Sequence, residues 1–338
     1  MKTRTLMAVL IISLLLGLGF YQFRSKPSVP PDFPARTLVS TDAQATIEIP
    51  AGASGSEIAK ILFDNHVVKS SLAYFRRAVS ESRSEKVAPG AHRLSLSISA
   101  NQALDQLLDP NRIPNLIKIT EGAWKSEIIA LMQKYGFSSK EVAIGFKELN
   151  LPAGFKDAEG LLFPAQYTFP AGTSATQALQ TMVDRFRSEK TGQEILQGLG
   201  KYSPLELLTI ASMVQAEGET KDFAKVARTI FNRLRISMPL QLDSTVHYVK
   251  RVRGQIFLST SSTLINSAYN TYKHYGLPPT PIGNPGVDAM AAVLNPGQGD
   301  WLFFITVAPG DTRFTASSNE FSQWKILYQK NRKAGLFK

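Results

Sequence analysis

An uncharged apolar run near the N-terminus constrains this chain more than any other feature of its sequence. The run LMAVLIISLLLGLGFYQF occupies residues 6–23, and basic residues flank it on both sides. About 18 apolar residues are enough for a helix to cross a bilayer once. A cleaved secretory signal is the alternative, but the residues after the run offer no small-x-small cleavage step. We therefore predict an uncleaved anchor, with the rest of the chain on one side of the membrane.

Composition limits what the body beyond the anchor can be. The 338 residues are 43% hydrophobic and 19% charged, which suffices for one large core or two modest ones. A net charge of +11 favours polyanionic neighbours such as acidic lipid head groups or cell-wall polymers. The absence of cysteine excludes a disulfide framework and a thiol nucleophile. No metal or cofactor motif occurs, and the basic segments lack the interleaved aromatics of a nucleic-acid platform, so we expect neither cofactor nor nucleic acid.

The chain beyond the anchor shows a weak internal repeat and one clear boundary. Two segments that begin at Ile47 and Ile117 agree at seven of sixteen positions. Each predicts a short strand, a Gly turn and a helix opened by Ser56 or Ser126, although such units also recur by chance. A Gly and Pro cluster over residues 151–172 marks the boundary, after which longer helices follow. We predict a cytoplasmic tip and anchor (1–25), a Pro-rich spacer (26–45), an α/β region (46–150) and a second domain (151–338).

Periodicity and turn residues also predict individual elements. Downstream of the boundary the pattern is that of helices separated by polar, Pro-rich loops, with one apolar strand in WLFFITV. Upstream, two shorter helices flank a turn and strand. The predicted helices cover 72–81, 101–108, 173–189, 204–217 and 222–235, and the predicted strand covers 301–307.

The start of the helix over 204–217 is well specified by its sequence. Ser203 is a good N-cap, Pro204 suits the first helical position, and Glu206 completes a capping box. Apolar residues follow at i, i+3, i+4 and i+7 from Leu207, which predicts one buried face.

Glu217 lies at the predicted end of this helix and is our candidate general acid. It follows Ile210 by seven residues, which returns it to within roughly 20° of the buried face. Gly218 predicts that the helix stops there, at the negative end of its dipole. Burial and the dipole both disfavour a carboxylate and should raise its pKa, as a general acid requires. The alternative is a surface ion pair of Glu217 with Lys221 or Lys225.

Two later segments carry groups that suit a hydroxyl-rich or amide-rich ligand. In residues 231–249 a dense polar set is hemmed by apolar neighbours, and in residues 267–286 aromatic and amide side chains crowd against four prolines. Each segment has a structural alternative, as the N-cap of a helix in the first case and as a rigid corner in the second. The polar candidates are Asn232, Gln241, Asp243, Ser244, Thr245, Tyr269, Asn270 and Tyr272.

Six short blocks, in this order, resemble the YceG-like (MltG) endolytic peptidoglycan transglycosylases. The blocks are ASMVQAEG, VARTIFNRL, MPLQLDSTVHY, SAYNTY, GLPPTPIGNPG and LNP. The resemblance covers the chain from about residue 160 onward, with a weaker similarity upstream. It implies an α+β fold with a single N-terminal transmembrane helix, small LysM-like strand and helix subdomains, and an α+β catalytic domain on the outer side of the bacterial cytoplasmic membrane.

The resemblance also implies site residues and a reaction. Glu217 corresponds to the family's catalytic glutamate, and Gln215 stands where many members carry another Glu. The reaction is cleavage of the MurNAc-β-1,4-GlcNAc bond in nascent peptidoglycan to give 1,6-anhydro ends, which terminates strand elongation. A non-catalytic wall-binding scaffold and a hydrolytic muramidase are the alternatives. The residues implied to line the substrate are Asn232, Gln241, Asp243, Ser244, Thr245, Tyr269, Asn270 and Thr271.

The implied partners are peptidoglycan glycan strands, the membrane through residues 6–23, and penicillin-binding proteins with the elongation machinery. The chain departs from the family pattern near its C-terminus. Arg313 stands before Phe314 where many members show His, and Phe321 follows Glu320 where they show another His. The part that those histidines play is therefore open in this chain.

Overall fold

A computed structural model describes residues 29–39, 41–50, 52–114, 116–170, 172–253 and 261–337. The predicted anchor over residues 6–23 lies outside these residues. Within them, no helix combines the length and the apolar character needed to cross a membrane. The chain divides into two compact units: the first extends to Pro114 and includes Thr168–Ala171, and the second comprises Asn115–Tyr167 and Gly172–Lys338.

The first unit is a small α/β body with its own core. Strands β1 and β2 pair antiparallel, with Ile47 opposite His92 and Ile49 opposite Gly90. The alternation of β1 directs Ile47 and Ile49 into a core that also contains Leu62, Tyr74 and other buried side chains of the three helices. The elements are β1 (Gln44–Ile49), α1 (Gly55–Asp64), α2 (Ser71–Val79), β2 (Gly90–Ser95) and α3 (Ala100–Leu107).

The described residues of the second unit are mainly helical and include two small antiparallel sheets. Strands β3 and β4 form one pair, and β5 and β6 form a hairpin in which Phe304 faces Phe314. The mixed α+β class and the predicted helices and strand are confirmed, with bounds shifted by one or two residues. The elements are β3 (Ile117–Lys118), α4 (Lys125–Tyr135), α5 (Ser139–Glu148), β4 (Gln166–Tyr167), α6 (Ala175–Ser188), α7 (Lys190–Leu196), α8 (Pro204–Glu217), α9 (Phe223–Arg235), α10 (Asp243–Lys250), α11 (Val287–Leu294), β5 (Phe303–Ala308), β6 (Asp311–Thr315) and α12 (Ser318–Lys333).

The two strand-turn-helix segments of the repeat are present, as β1 with α1 and as β3 with α4. The predicted caps at Ser56 and Ser126 are wrong, because both residues lie in the first turn of their helix. The N-cap of α1 is Ser54, whose hydroxyl accepts from the Glu57 amide. In the second copy Trp124 occupies the N-cap position. A capping box requires the acid three residues after the cap, and this spacing places each cap two residues earlier than predicted.

The division between the units falls earlier than the predicted boundary at 150/151. Helices α4 and α5, which we assigned to the upstream region, belong to the second unit. Buried Gly145 brings α5 close to α6, since a Cβ at this position would lie 3.0 Å from Leu179 Cδ1. The Gly and Pro cluster over residues 151–172 therefore mostly connects helices within the second unit.

Helix α8 lies at the centre of the second unit. It begins after Ser203 with the predicted capping box and ends at Glu217. The prediction of a single buried face is wrong, because Leu207 through Val214 are all buried. Helices α7, α9, α10 and α11 surround it. Two of its buried hydroxyls donate within the helix: Thr209 Oγ1 to the Leu205 carbonyl and Ser212 Oγ to the Thr209 carbonyl, both at 2.7 Å.

Candidate active site

The carboxyl group of Glu217 lies where the end of α8 meets the start of α10. The backbone of Gly218 is extended, at φ −135° and ψ 166°, and this ends the helix directly after Glu217. The Ser244 amide of α10 donates to Glu217 Oε1 at 3.1 Å. The free N–H groups in the first turn of a helix are natural donors to a carboxylate, so α10 holds the Glu217 side chain in place.

Glu217 borders a cavity of about 560 Å³ within the second unit. Its side chain is only partly buried, so a ligand in the cavity can reach it. The walls come from the end of α8, from α9, from the loop before α10, from β5 and from one face of α12. The lining residues are Glu217, Arg233, Gln241, Leu242, Asp243, Tyr272, Phe303, Phe304, Ile305, Thr306, Phe321, Lys325, Tyr328, Gln329 and Phe337.

The surroundings of Glu217 favour its protonated form. Burial is the main cause that raises the pKa of the Glu217 carboxyl, and the negative charge of Asp243 adds to it. Hydrogen bonding from Ser244 and the charge of Arg233 act in the opposite direction without cancelling the rise. The structure thus provides a carboxylic acid that can keep its proton at pH values where an ordinary glutamate has lost it.

The alternative of a surface ion pair for Glu217 does not occur. Lys221 Nζ lies 3.0 Å from Glu219 and donates to the Gly310 carbonyl at 2.7 Å. Lys225 Nζ lies over aromatic rings, 5.4 Å from the centroid of Phe314. Both lysines are therefore engaged away from the Glu217 carboxyl.

A second carboxyl group, that of Asp243, lies in the same cavity. The Tyr272 hydroxyl donates to Asp243 Oδ1. Burial and the neighbouring Asp243 raise the pKa of Tyr272, so its hydroxyl remains a donor at neutral pH. Asp243 is therefore held in a fixed orientation at the cavity wall.

Arg233 supplies a fixed positive charge beside the two acids. It is 7% exposed, and its guanidinium donates to the carbonyls of Leu302 at 2.6 Å and Leu240 at 2.5 Å. We did not predict this residue, although a signal existed. Arg233 follows Val226 and Ile230 at i+7 and i+3 and therefore continues the buried stripe of α9, by the same rule that singled out Glu217.

Three of the polar residues predicted to bind substrate lie at or next to the cavity. Gln241 and Asp243 line it, and Ser244 contacts Glu217. Gln241 has a left-handed backbone at φ 48°, a strained conformation for this residue type that is common at functional sites. The backbone N–H of Gln241 donates to the Thr271 carbonyl at 3.1 Å, which fixes the turn before α10.

The remaining predicted residues do not line the cavity and instead bond to other parts of the chain. Asn232 Nδ2 donates to the carbonyls of Gly299 and Trp301. Asn270 Nδ2 donates to the carbonyls of Thr263 and Ile265. Thr245, Tyr269 and Thr271 also bond to protein partners: Thr245 Oγ1 with Thr271 Oγ1 at 3.0 Å, and the Tyr269 hydroxyl with Thr280 Oγ1 at 2.7 Å.

The positions that depart from the family pattern have identifiable surroundings. Arg313 forms an ion pair with Asp311 at 2.8 Å on the β5–β6 hairpin. Phe321 stacks on Phe303 with 5.0 Å between ring centroids and lines the cavity. Gln215 Oε1 accepts from the Gly286 amide at 2.9 Å. Of the three, only Phe321 contributes to the cavity surface.

The family model of the YceG-like family matches residues 47–325, and the chain belongs to this family. It is 32% identical over 321 residues to a protein of Bacillus subtilis (strain 168) named endolytic murein transglycosylase, with 87% of this chain and 89% of that protein covered. A protein of the same name from Streptococcus pneumoniae serotype 2 (strain D39 / NCTC 7466) is 27% identical, and the match covers 85% of this chain but 59% of that protein.

A solved structure supports the same assignment. The crystal structure of the putative yceG-like protein lmo1499 from Listeria monocytogenes matches with a TM-score of 0.56 and 27% identity, covering 83% of this chain and 98% of that one. The family resemblance predicted from the six sequence blocks is thus confirmed.

Proposed function

We propose that this protein is an endolytic murein transglycosylase that cleaves the MurNAc-β-1,4-GlcNAc bond of peptidoglycan without adding water. Family membership and the names of two relatives support the reaction class. The observation that carries the proposal is the placement of Glu217, whose pKa is raised by burial and whose side chain borders the cavity.

In the proposed reaction one carboxyl group acts twice. Protonated Glu217 donates its proton to the bridging oxygen, and the bond from MurNAc C1 to this oxygen breaks. The resulting carboxylate takes the proton of the C6 hydroxyl of the same MurNAc, and O6 bonds to C1. The products are a free GlcNAc 4-hydroxyl and a 1,6-anhydro ring, and Glu217 regains its proton. Asp243, oriented by Tyr272, stabilises the positive charge that develops at C1.

A hydrolytic muramidase is the second candidate, and the position of Asp243 favours it. Hydrolysis normally requires a pair of carboxyl groups, one on each side of the scissile bond. One of the two activates water or attacks the sugar. Asp243 lines the same cavity as Glu217 and therefore provides such a second group. The products separate the two reactions, because hydrolysis leaves reducing ends and the transglycosylase reaction leaves anhydro ends.

We further propose the finer features that the sequence predicts: an anchor at residues 6–23 in the bacterial cytoplasmic membrane, an outward-facing body, and a LysM-like first unit. Penicillin-binding proteins and the elongation machinery are the proposed neighbours. Recovery of the full chain in the soluble fraction of cells would contradict the anchor. Sedimentation of residues 29–114 with insoluble wall material tests whether the first unit binds glycan.

The role of Glu217 is tested with soluble glycan strands and the body of the protein from about residue 28 onward. Glu217→Gln should lower the release of fragments by at least 10²-fold, in the range expected for loss of a general acid. Glutamine keeps an oxygen that can accept from the Ser244 amide, so folding should be preserved. Glu219→Gln is the matched control, because Glu219 is exposed and pairs with Lys221. Cleavage by Glu217→Gln at more than a tenth of the wild-type rate would contradict the proposal.

A further inference from the structure

The carboxyl group of Glu159 is buried in the second unit and takes no part in the proposed reaction. Glu159 is 3% exposed. The Lys125 amide donates to its Oε1 at 3.0 Å, the Tyr248 hydroxyl donates to its Oε2 at 2.9 Å, and Asn284 Nδ2 lies 3.3 Å from Oε1. All three neighbours donate hydrogen bonds to Glu159 in the structure, which matches its carboxylate form.

The groups around Glu159 act on its pKa in opposite directions. Burial raises the pKa of Glu159 to about 7, while its bonds from Tyr248 and the Lys125 amide lower it. The Lys125 ammonium also lowers the pKa, and the Asp157 carboxylate raises it. Lys125 Nζ and Asp157 pair with each other, and Asp157 Oδ1 accepts from the Glu159 amide at 2.8 Å. The carboxylate thus depends on its three donors for stabilisation.

Tyr248 connects Glu159 to α10, the helix whose Ser244 amide donates to Glu217. Tyr248 lies on α10, four residues after Ser244, which is about one helical turn. The Tyr248 ring packs edge-on to Trp124 at 5.9 Å and against Tyr269 at 5.1 Å between centroids. The Ser244 amide in the first turn of α10 contacts Glu217, and the bond from Tyr248 to Glu159 fixes the next turn of the same helix.

We propose that Glu159 is a positioning residue that, through Tyr248, holds α10 in the place where the Ser244 amide meets Glu217. Glu159 does not touch the cavity, so its effect is exerted on the orientation of the acid and not on substrate binding. Loss of the Glu159 oxygen that accepts from Tyr248, or of the Tyr248 hydroxyl itself, removes this bond and loosens α10. The kinetic part of this inference rests on the proposed function, whereas the contact from α10 to Glu217 does not.

The test uses Tyr248→Phe and Glu159→Gln, with Tyr275→Phe as the matched control because Tyr275 is 72% exposed. Two quantities are measured: kcat and KM on soluble glycan strands, and the hydrogen-exchange protection of the Ser244 amide. We expect both variants to lower kcat and Ser244 protection about 10-fold each with KM unchanged, and the control to change neither. Because the two residues act as one unit, the double variant should lose no more than either single one.

Several outcomes overturn the inference. If Tyr248→Phe folds and keeps the wild-type kcat and Ser244 protection, Glu159 does not act on Glu217 through α10. A fall in kcat without loss of protection, or a rise in KM instead, places the effect elsewhere. Tyr248→Phe alone decides the matter if Glu159→Gln does not fold. If the wild-type protein cleaves no glycan, the proposed function fails, and the exchange measurement still tests the contact of α10 with Glu217.

Discussion

The two glutamates of helix α8 show how position determines what a carboxyl group does. The Glu206 carboxylate accepts from the Ser203 amide at 2.8 Å at the start of the helix, where the helix dipole favours negative charge. Glu217 stands at the opposite end, where the dipole disfavours that charge and partial burial beside the cavity raises the pKa of the carboxyl. The first therefore acts as a cap, and the second is suited to carrying a proton.

The raised pKa of Glu217 predicts a pH-dependent difference in stability between the wild type and Glu217→Gln. Below the ordinary pKa of a glutamate, the group is protonated in both the folded and the unfolded chain. As pH rises towards the raised value, the unfolded chain releases this proton and the folded chain retains it, so folding is progressively disfavoured. Glutamine does not titrate and makes no such contribution. Glu159, which also has a raised pKa, is present in both proteins and does not contribute to the difference between them.

We therefore expect the free energy of unfolding of the wild type to fall relative to that of Glu217→Gln as pH rises above about 4.3, where ordinary glutamates titrate, towards the raised pKa of Glu217. Chemical denaturation of both proteins across this range measures the difference. A constant difference would mean that the pKa of Glu217 is the same in the folded and unfolded chain.

The sequence identified the acid but not all of its neighbours. Helical periodicity placed Glu217 on a buried stripe, and the same rule applied to α9 would have found Arg233. The loop that contains Tyr269 and Tyr272 has no period that relates sequence to direction. The sequence therefore singled out Tyr269, Asn270 and Tyr272 alike, and of these three Tyr272 is the one that lines the cavity.

At the scale of elements, helix α8 could be predicted to the residue because its ends are specified locally. Ser203, Pro204 and Glu206 fix its start, and Gly218 fixes its stop. Its burial on all sides could not be predicted in this way. That burial depends on the four helices packed around it, and the small and polar residues among its apolar ones resemble an exposed face.

Asn232 provides a test of how α9 is joined to the strand that walls the cavity. Its side-chain amide bonds the carbonyls of Gly299 and Trp301, just before β5 begins. Asn232→Ala leaves these carbonyls without their donor, and we expect a loss of about 1–3 kcal/mol in the free energy of unfolding. Urea denaturation measures it, with Asn101→Ala at an exposed helical position as the control. Equal effects of the two substitutions would contradict the structural role of Asn232.

At the scale of the whole molecule, the sequence indicated two folded regions but not where they divide. The Gly and Pro cluster over residues 151–172 has the composition of a linker, and composition alone does not distinguish a linker from an internal loop. Helices α4 and α5 belong to the second unit. Helix α5 packs closely on α6 at Gly145, and α4 is joined to later residues by the bond from the Lys125 amide to Glu159 and the ion pair of Glu127 with Arg253. The separate core of the first unit is consistent with a module of its own.

The fate of water in the reaction tests the central claim most directly. Soluble glycan strands are cleaved in water enriched in oxygen-18, and the new ends are analysed by mass spectrometry. If Glu217 alone delivers and recovers the proton, each new MurNAc end is an anhydro ring, lighter by one water than a reducing end and free of the heavy isotope. Oxygen-18 at C1 of the new end would show that water attacks the sugar, and would contradict the account.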